Sequence, residues 1–298
     1  MKKLIFYFLF ITTGFFAKAQ QLPCLPIVLP QLSDETRKQY EQKVQEAKSK
    51  LIKDSANAEH IIWYGRRTAY TGRYIEAIGI YSQGISFHPK NSKFYRHRGH
   101  RYITVRCFDL AIADLTKATI LFKDQVDEVE EDGLPNAQNI PTGTLQSNTW
   151  YHLGLVHFLK GDYKNALAAF NECLEITDND DMYVATANWL FITMKRLGKN
   201  KEADELLKTI KAEMDIIENK DYHDILLMYK NNDDKKIIEK TLTQDNISNA
   251  TLGFGLANYY LEKGQKKKAK ELLEKIVAEN QWSSFGFIAS EADLKRIK

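Results

Sequence analysis

Apolar residues recur every three or four positions in short runs, each closed by Gly or a polar turn, which is the spacing of short amphipathic helices. The runs themselves repeat. Gly72-Arg73-Tyr74-x-x-Ala77-x-x-x-Tyr81 lies over Gly161-Asp162-Tyr163-x-x-Ala166-x-x-x-Phe170, and the unit is 34 residues long. Units beginning at Ala58, Ser92, Ser147, Val184 and Ala250 put Ala77, Ala111, Ala166, Ala203 and Ala269 at the twentieth place. A small side chain there lets two helices approach closely. The residue four places on, one turn away on the same face, is Tyr81, Leu115, Phe170, Leu207 or Leu273 and fills the space above it. The eighth place holds Gly65, Gly99 and Gly154, then Phe191 and Ala257. The turn place holds Gly72, Gly161, Gly198 and Gly264, as a left-handed helix end favours, with Arg106 the exception.

These units resemble tetratricopeptide repeats, and Trp150-Tyr151-x-Leu153-Gly154 through Phe170 carries the pattern most fully. The resemblance covers about 170 residues. It implies an all-α, right-handed superhelical solenoid of helical hairpins, whose concave groove binds a protein or peptide. The expected division is a signal peptide at 1–19, an N-terminal segment and capping helix at 20–57, repeats one and two at 58–125 and an acidic insert at 126–146. Repeats three and four follow at 147–217, an irregular helical pair at 218–249, repeat five at 250–283 and a C-terminal capping segment at 284–298. Ser33 is placed to cap the N-terminal helix, which should run to about Asp54 with Tyr40, Val44, Ala47 and Leu51 on one stripe.

The first 19 residues have Lys2 and Lys3, an apolar run from Leu4 to Phe16, and Ala17-Lys18-Ala19 at the cut, the layout of a secretory leader too short to span a bilayer. Pro23 before Cys24 does not suit a lipidation signal. A soluble exported protein, periplasmic or secreted, is expected. Composition adds that 44% hydrophobic and 27% charged residues suit a globular chain and no multi-span membrane protein. Three widely spaced cysteines, Cys24, Cys107 and Cys173, allow at most one bridge, and none is expected.

The formal charge of +3 belongs to the leader: without Lys2, Lys3 and Lys18 the chain holds 39 basic and 39 acidic residues, which removes the electrostatic case for nucleic acid. Trp63, Trp150 and Trp189 fall at regular places in first helices and are expected in the core rather than as base-stacking platforms. Locally, charge is strongly divided. Residues 58–125 hold 11 Lys or Arg against 5 Asp or Glu, whereas residues 126–146 hold 5 acids and no base.

Groove-facing places in the first helices select Arg66, Tyr70, Lys93, Arg96, His100, Asn148, Tyr151, Phe158, Asn188 and Lys195. Glu128, Glu130 and Asp132 of the insert are expected to fold across this basic wall, completing a site or occupying it until a partner displaces them. Arg66 and Arg96 suit a carboxylate or phosphate through paired hydrogen bonds. The Lys and Asn clamp of peptide-binding relatives is not carried over, since Ile62 and Arg66 stand at its places.

His97 and His100 share a helix face, but Arg96, Arg98 and Arg101 around them would repel a cation, and no metal is expected. Asp178-Asn179-Asp180-Asp181 lacks the Gly and distal Glu of a calcium loop and reads as a turn. No phosphate loop, zinc-protease, nucleophile-elbow or dinucleotide motif is present, so no catalytic residue or cofactor is assigned. The leading expectation is an exported non-catalytic scaffold with an acidic protein or peptide partner. The alternative is an enzyme or small-anion receptor built from Arg66, Arg96, His100 and the insert.

Overall fold

The computed structural model describes residues 24–243 and 247–297; the expected leader lies outside them. Among the described residues, fourteen α-helices account for the regular structure. Helix α1 (Asp34–Lys53) leads, capped by Ser33, whose side chain accepts from the Thr36 amide. The hairpins are α2 (Ala58–Tyr70) with α3 (Tyr74–Phe87), α4 (Ser92–Thr104) with α5 (Phe108–Phe122), and α6 (Leu145–Lys160) with α7 (Tyr163–Glu175). Then come α8 (Asp180–Arg196) with α9 (Asn200–Thr209), α10 (Lys220–Asn231) with α11 (Lys235–Thr243), and α12 (Ile247–Glu262) with α13 (Lys266–Val277). Helix α14 (Phe285–Leu294) ends the chain. Successive helices pack on one another, which makes an all-α solenoid of hairpins.

The repeated small and large places explain the hairpin geometry. Ala77, Ala111, Ala166, Ala203 and Ala269 are all fully buried. Gly65, Gly99 and Gly154 each receive the large residue from the second helix of their own repeat. A Cβ at these places would lie 2.4 Å from Tyr81, 2.8 Å from Leu115 and 2.6 Å from Phe170. The fourth repeat enters earlier than its expected start at Val184: Asn179 caps α8 by accepting the Met182 amide, so the helix begins at Asp180. Asp181 then accepts the amides of Ile217, Glu218 and Asn219 at 2.7, 2.9 and 2.8 Å, anchoring the connection to α10.

Arg106 adopts the left-handed conformation of the glycines at the same place, with φ at 60°. Such strain needs compensation in a residue with a Cβ. Its guanidinium bonds the carbonyls of Thr104 and Trp282, pairs with Glu291 at 2.9 Å, and lies 3.9 Å over the Trp282 ring. The C-terminal segment has therefore come back to the second repeat. Trp282 stacks on Tyr74 of α3, and Asn280 bonds Gln31.

Two expectations are corrected here. Residues 284–298 do more than cap the last repeat: α14 also reaches α6, and Phe285 lies 5.5 Å from both His100 and His152. The cysteines do form a bridge, Cys24 to Cys107. The N-terminal arm runs back past Gly72, where Leu29 and Pro30 pack, and this brings Cys24 to the turn before α5. Cys173 stays free and buried, with its thiol pushed up to about 11 by burial.

Candidate functional site

Helix α4 supplies the centre of the site. Lys93, Arg96, His97, His100 and Arg101 follow the spacing that places side chains on one helix face. Arg66 and Tyr70 flank them from α2, and Asn148 and His152 from α6. Facing this wall is the insert. Its two arms are clipped together by the Val129–Thr144 bridge, with the Glu130 amide donating to the Gly143 carbonyl at 3.0 Å and Leu145 to Glu128 at 2.9 Å. Asp127 pins the base of the insert to the start of α6, accepting from the Gln146 amide at 3.0 Å and the Thr144 hydroxyl at 2.5 Å.

The acidic run meets the basic wall residue by residue. Glu128 pairs with Lys93 at 3.0 Å, and Lys93 also holds Glu59 at 2.7 Å. The Glu130 carboxylate, 10% exposed, sits 2.9 Å from Arg96 Nε and 3.6 Å from His97 Nε2, and accepts from Asn148 at 3.2 Å. Arg66 donates to the Glu131 carbonyl at 2.6 Å and Arg67 to the Gly133 carbonyl at 2.5 Å. Tyr70 closes on Gly133 so tightly that a Cβ there would fall 1.8 Å from its hydroxyl. Farther along, Asn136 and Thr142 bond Glu218, tying the insert to the segment before α10.

Arg96 also orders the histidines. One of its terminal nitrogens lies 3.2 Å from His97 Nδ1 and 3.5 Å from His100 Nδ1, and a guanidinium can only donate, so both Nδ1 atoms accept. Burial first, and then the neighbouring arginines, holds His97, His100 and His152 well below the usual histidine range. They are neutral polar wall at physiological pH. Beneath the insert this wall leaves a cavity of about 230 Å³ lined by Arg66, Arg96, His100, Arg101, Glu130 and Asp132. A second space of about 420 Å³, with Glu59, Ile62, Lys93 and Glu128 in its lining, lies on the other side of Glu130.

Asp132 has the least favourable place in this arrangement. Burial, then Glu218 and Glu130, raise its pKa to about 6, against the opposing pull of Arg66 and Arg96. The sign follows by linkage: a carboxyl whose folded pKa is raised stabilises the docked state below its unfolded value near 4, and that contribution is lost as pH rises through about 6. Acidification from pH 7.5 to 5 is therefore expected to tighten the insert, slowing amide exchange of Glu128–Gly133 severalfold after correction for intrinsic rates. Asp132→Asn should show the slower exchange already at pH 7.5. Equal pH dependence in the two proteins would assign the effect to another group.

The candidate residues read from the sequence divide into two sets. Arg66, Tyr70, Arg96, His100, Asn148, Glu130 and Asp132 come together around the smaller cavity, while Lys93 and Glu128 line the neighbouring space across Glu130. Tyr151, Phe158 and Asn188 do not face an open groove: they are 7%, 0% and 2% exposed, Tyr151 lying against Phe285 of α14 and Phe158 against Phe254 of α12. Tyr151 instead accepts from the Trp189 indole at 2.9 Å, and Lys195 pairs with Glu262. Arg67, Arg101 and His152 belong to the site but were not selected. Arg67 and Arg101 are visible in sequence as members of the basic excess, while His152 is brought in by its contact with His100 at 4.3 Å.

Two tetratricopeptide repeat family models match the chain, at residues 147–180 and 254–281. Among solved structures, a tetratricopeptide repeat protein from Parabacteroides merdae ATCC 43184 is similar over 88% of this chain and 95% of its own, at 18% identity and a TM-score of 0.51. A chain of the APC/C hetero-tetramer Cut9-Hcn1 is similar over 87% of this chain and 40% of its own, at 17% identity and a TM-score of 0.50. At these identities the likeness is one of fold. No curated protein matches. The chain thus contains tetratricopeptide repeats, and such repeats generally serve as protein-interaction scaffolds with an extended concave surface.

Proposed function

We propose that the protein is an exported, non-catalytic scaffold whose groove at α2, α4 and α6 takes an acidic segment of a partner protein. The observation that carries this reading is the seat of Glu130: a carboxylate inside the groove, met by Arg96, His97 and Asn148 from two successive repeats. A carboxylate buried against arginine and an amide donor at once is screened less, and bound more strongly, than one in a surface ion pair. Export is supported by the expected leader and by the Cys24–Cys107 bridge, since disulfides persist in oxidising compartments. No described helix is long and apolar enough to cross a membrane.

A second reading has its own observation. The half-open cavity, with insert and groove side chains converging on it, has a lining that suits a small-anion receptor. The two separate in cross-linking and calorimetry. The scaffold reading expects a partner that cross-links to the native exported protein and is lost from a Lys93→Ala, Arg66→Ala variant whose helical spectrum is unchanged. Equal recovery by both proteins would remove the groove from the account. Heat of binding from inorganic phosphate or citrate, abolished in the same variant and without any cross-linked partner, would favour the receptor.

A further inference from the structure

We infer that the partner segment this groove accepts is an extended acidic stretch of polypeptide with carboxylates two residues apart, and that Glu128–Gly133 is its built-in stand-in. The inference rests on the scaffold reading above and specifies its ligand. The spacing comes first. In an extended chain alternate side chains share a face, about 6.6 Å apart. Glu128 and Glu130 both point into the wall, while Val129 is 65% exposed on the opposite side. Their receivers, Lys93 and Arg96, are three residues apart on α4, a rise of about 4.5 Å along the axis, which long side chains extend to match.

Backbone recognition comes second. Arg66 and Arg67 hold main-chain carbonyls, those of Glu131 and Gly133, and so read an extended polypeptide irrespective of the side chains there. A small anion in the cavity would meet Arg66 but not Arg67, which is not part of its lining. Gly133 marks a third preference, because a Cβ at that point of the ligand path would require the Tyr70 ring to move.

The stand-in also fits incompletely, which is what a displaceable ligand requires. Arg96 Nε is close to Glu130, but its N–H has no hydrogen-bond partner, so the carboxylate satisfies charge without satisfying direction. Arg101, on the cavity wall, forms no ion pair among the described residues. Val129 and Leu134 contribute little apolar burial, at 65% and 47% exposed. The docked run is thus held mainly by charge and a few hydrogen bonds. Its advantage is covalent attachment, which supplies an effective concentration on the order of millimolar.

The test uses a fluorescein-labelled peptide with the sequence Val126–Leu134, titrated by anisotropy against the full exported chain. Wild type is compared with a Glu128→Gln, Glu130→Gln variant, in which the tethered acids no longer compete. The peptide should bind the variant at least tenfold more tightly than wild type. Added Lys93→Ala should weaken that binding, as should raising salt from about 50 to 300 mM. A control peptide with Gln in place of both glutamates should bind at least tenfold less tightly.

Equal affinity for wild type and variant, equal binding of the control peptide, or no binding by the variant would each overturn the inference. If the double variant loses its helical spectrum, Glu128→Gln alone serves, because that side chain is half exposed, and about a threefold gain is then expected. No gain in that single variant is again a negative result. A groove-dependent partner without peptide binding would keep the scaffold and discard this ligand. Peptide binding without such a partner would do the reverse.

Discussion

Replacing Gly286 by alanine is expected to lower the unfolding free energy by about 3 kcal/mol, at the upper end of overpacking costs. A Cβ at this position would lie 2.4 Å from the Ala250 carbonyl oxygen, 2.6 Å from its carbon and 3.0 Å from the Thr251 nitrogen. All three are backbone atoms of α12, so no side chain can turn aside to make room. Helix α14 must back away instead, and Phe287, Ile288 and Ala289 behind Gly286, 4%, 1% and 0% exposed, lose their packing with it. The better helix propensity of alanine returns only about 1 kcal/mol.

The substitution also reaches the candidate site. Phe285 lies against His100, His152 and Tyr151, so its retreat opens the floor beneath the arginine-lined cavity. Urea unfolding followed by circular dichroism measures the stability loss. A midpoint unchanged from wild type would mean that α14 does not approach α12 as described.

The second large effect is expected from the Cys24–Cys107 bridge. It joins residues 83 apart and closes a loop containing α1, α2, α3 and α4. Loop-closure entropy for a loop of that length predicts about 4.5 kcal/mol, and native bridges commonly deliver about 2–4. Cys107 is fully buried at the entry of α5, so losing the bond frees the arm without exposing a ready substitute contact. Reductant should therefore lower the melting temperature of wild type by several degrees, and Cys24→Ser should melt low in both conditions. Reductant sensitivity retained in Cys24→Ser, or absent from wild type, would rule out this pairing.

The hairpin architecture was legible because close packing writes a repeated pattern. Ala at the twentieth place, Gly at the eighth and a large residue at the twenty-fourth are one physical contact seen five times or, for Gly, three. The charge division between α2–α5 and the insert was equally plain, and with the groove-facing places of the first helices it led to Arg66, Lys93, Arg96, Asn148, Glu128 and Glu130. What sequence periodicity does not encode is the return of a distant segment. Phe285 and Trp282 read as ordinary apolar residues of a capping helix, and nothing local to them names His100 or Tyr74 as neighbours.

The same blindness hid the disulfide and placed Tyr151 and Phe158 in an open groove rather than under α14 and α12. Arg106 was visible as an anomaly, a side chain where its counterparts are glycine. Its explanation needs Glu291 and the Trp282 carbonyl, 185 and 176 residues away. Local pattern thus fixes how each hairpin is built. Long-range contacts decide which part of the concave face remains available.

Hydrogen exchange read by mass spectrometry, on wild type alone and with a large excess of the Val126–Leu134 peptide, shows whether a ligand displaces the insert. The account predicts that insert amides at Glu128–Gly133, including the Glu130 amide bonded to Gly143, lose protection as peptide is added, while α2 and α4 stay as protected or become more so. Peptide that binds while the insert keeps its protection would show that the acidic run is not standing in a ligand's place.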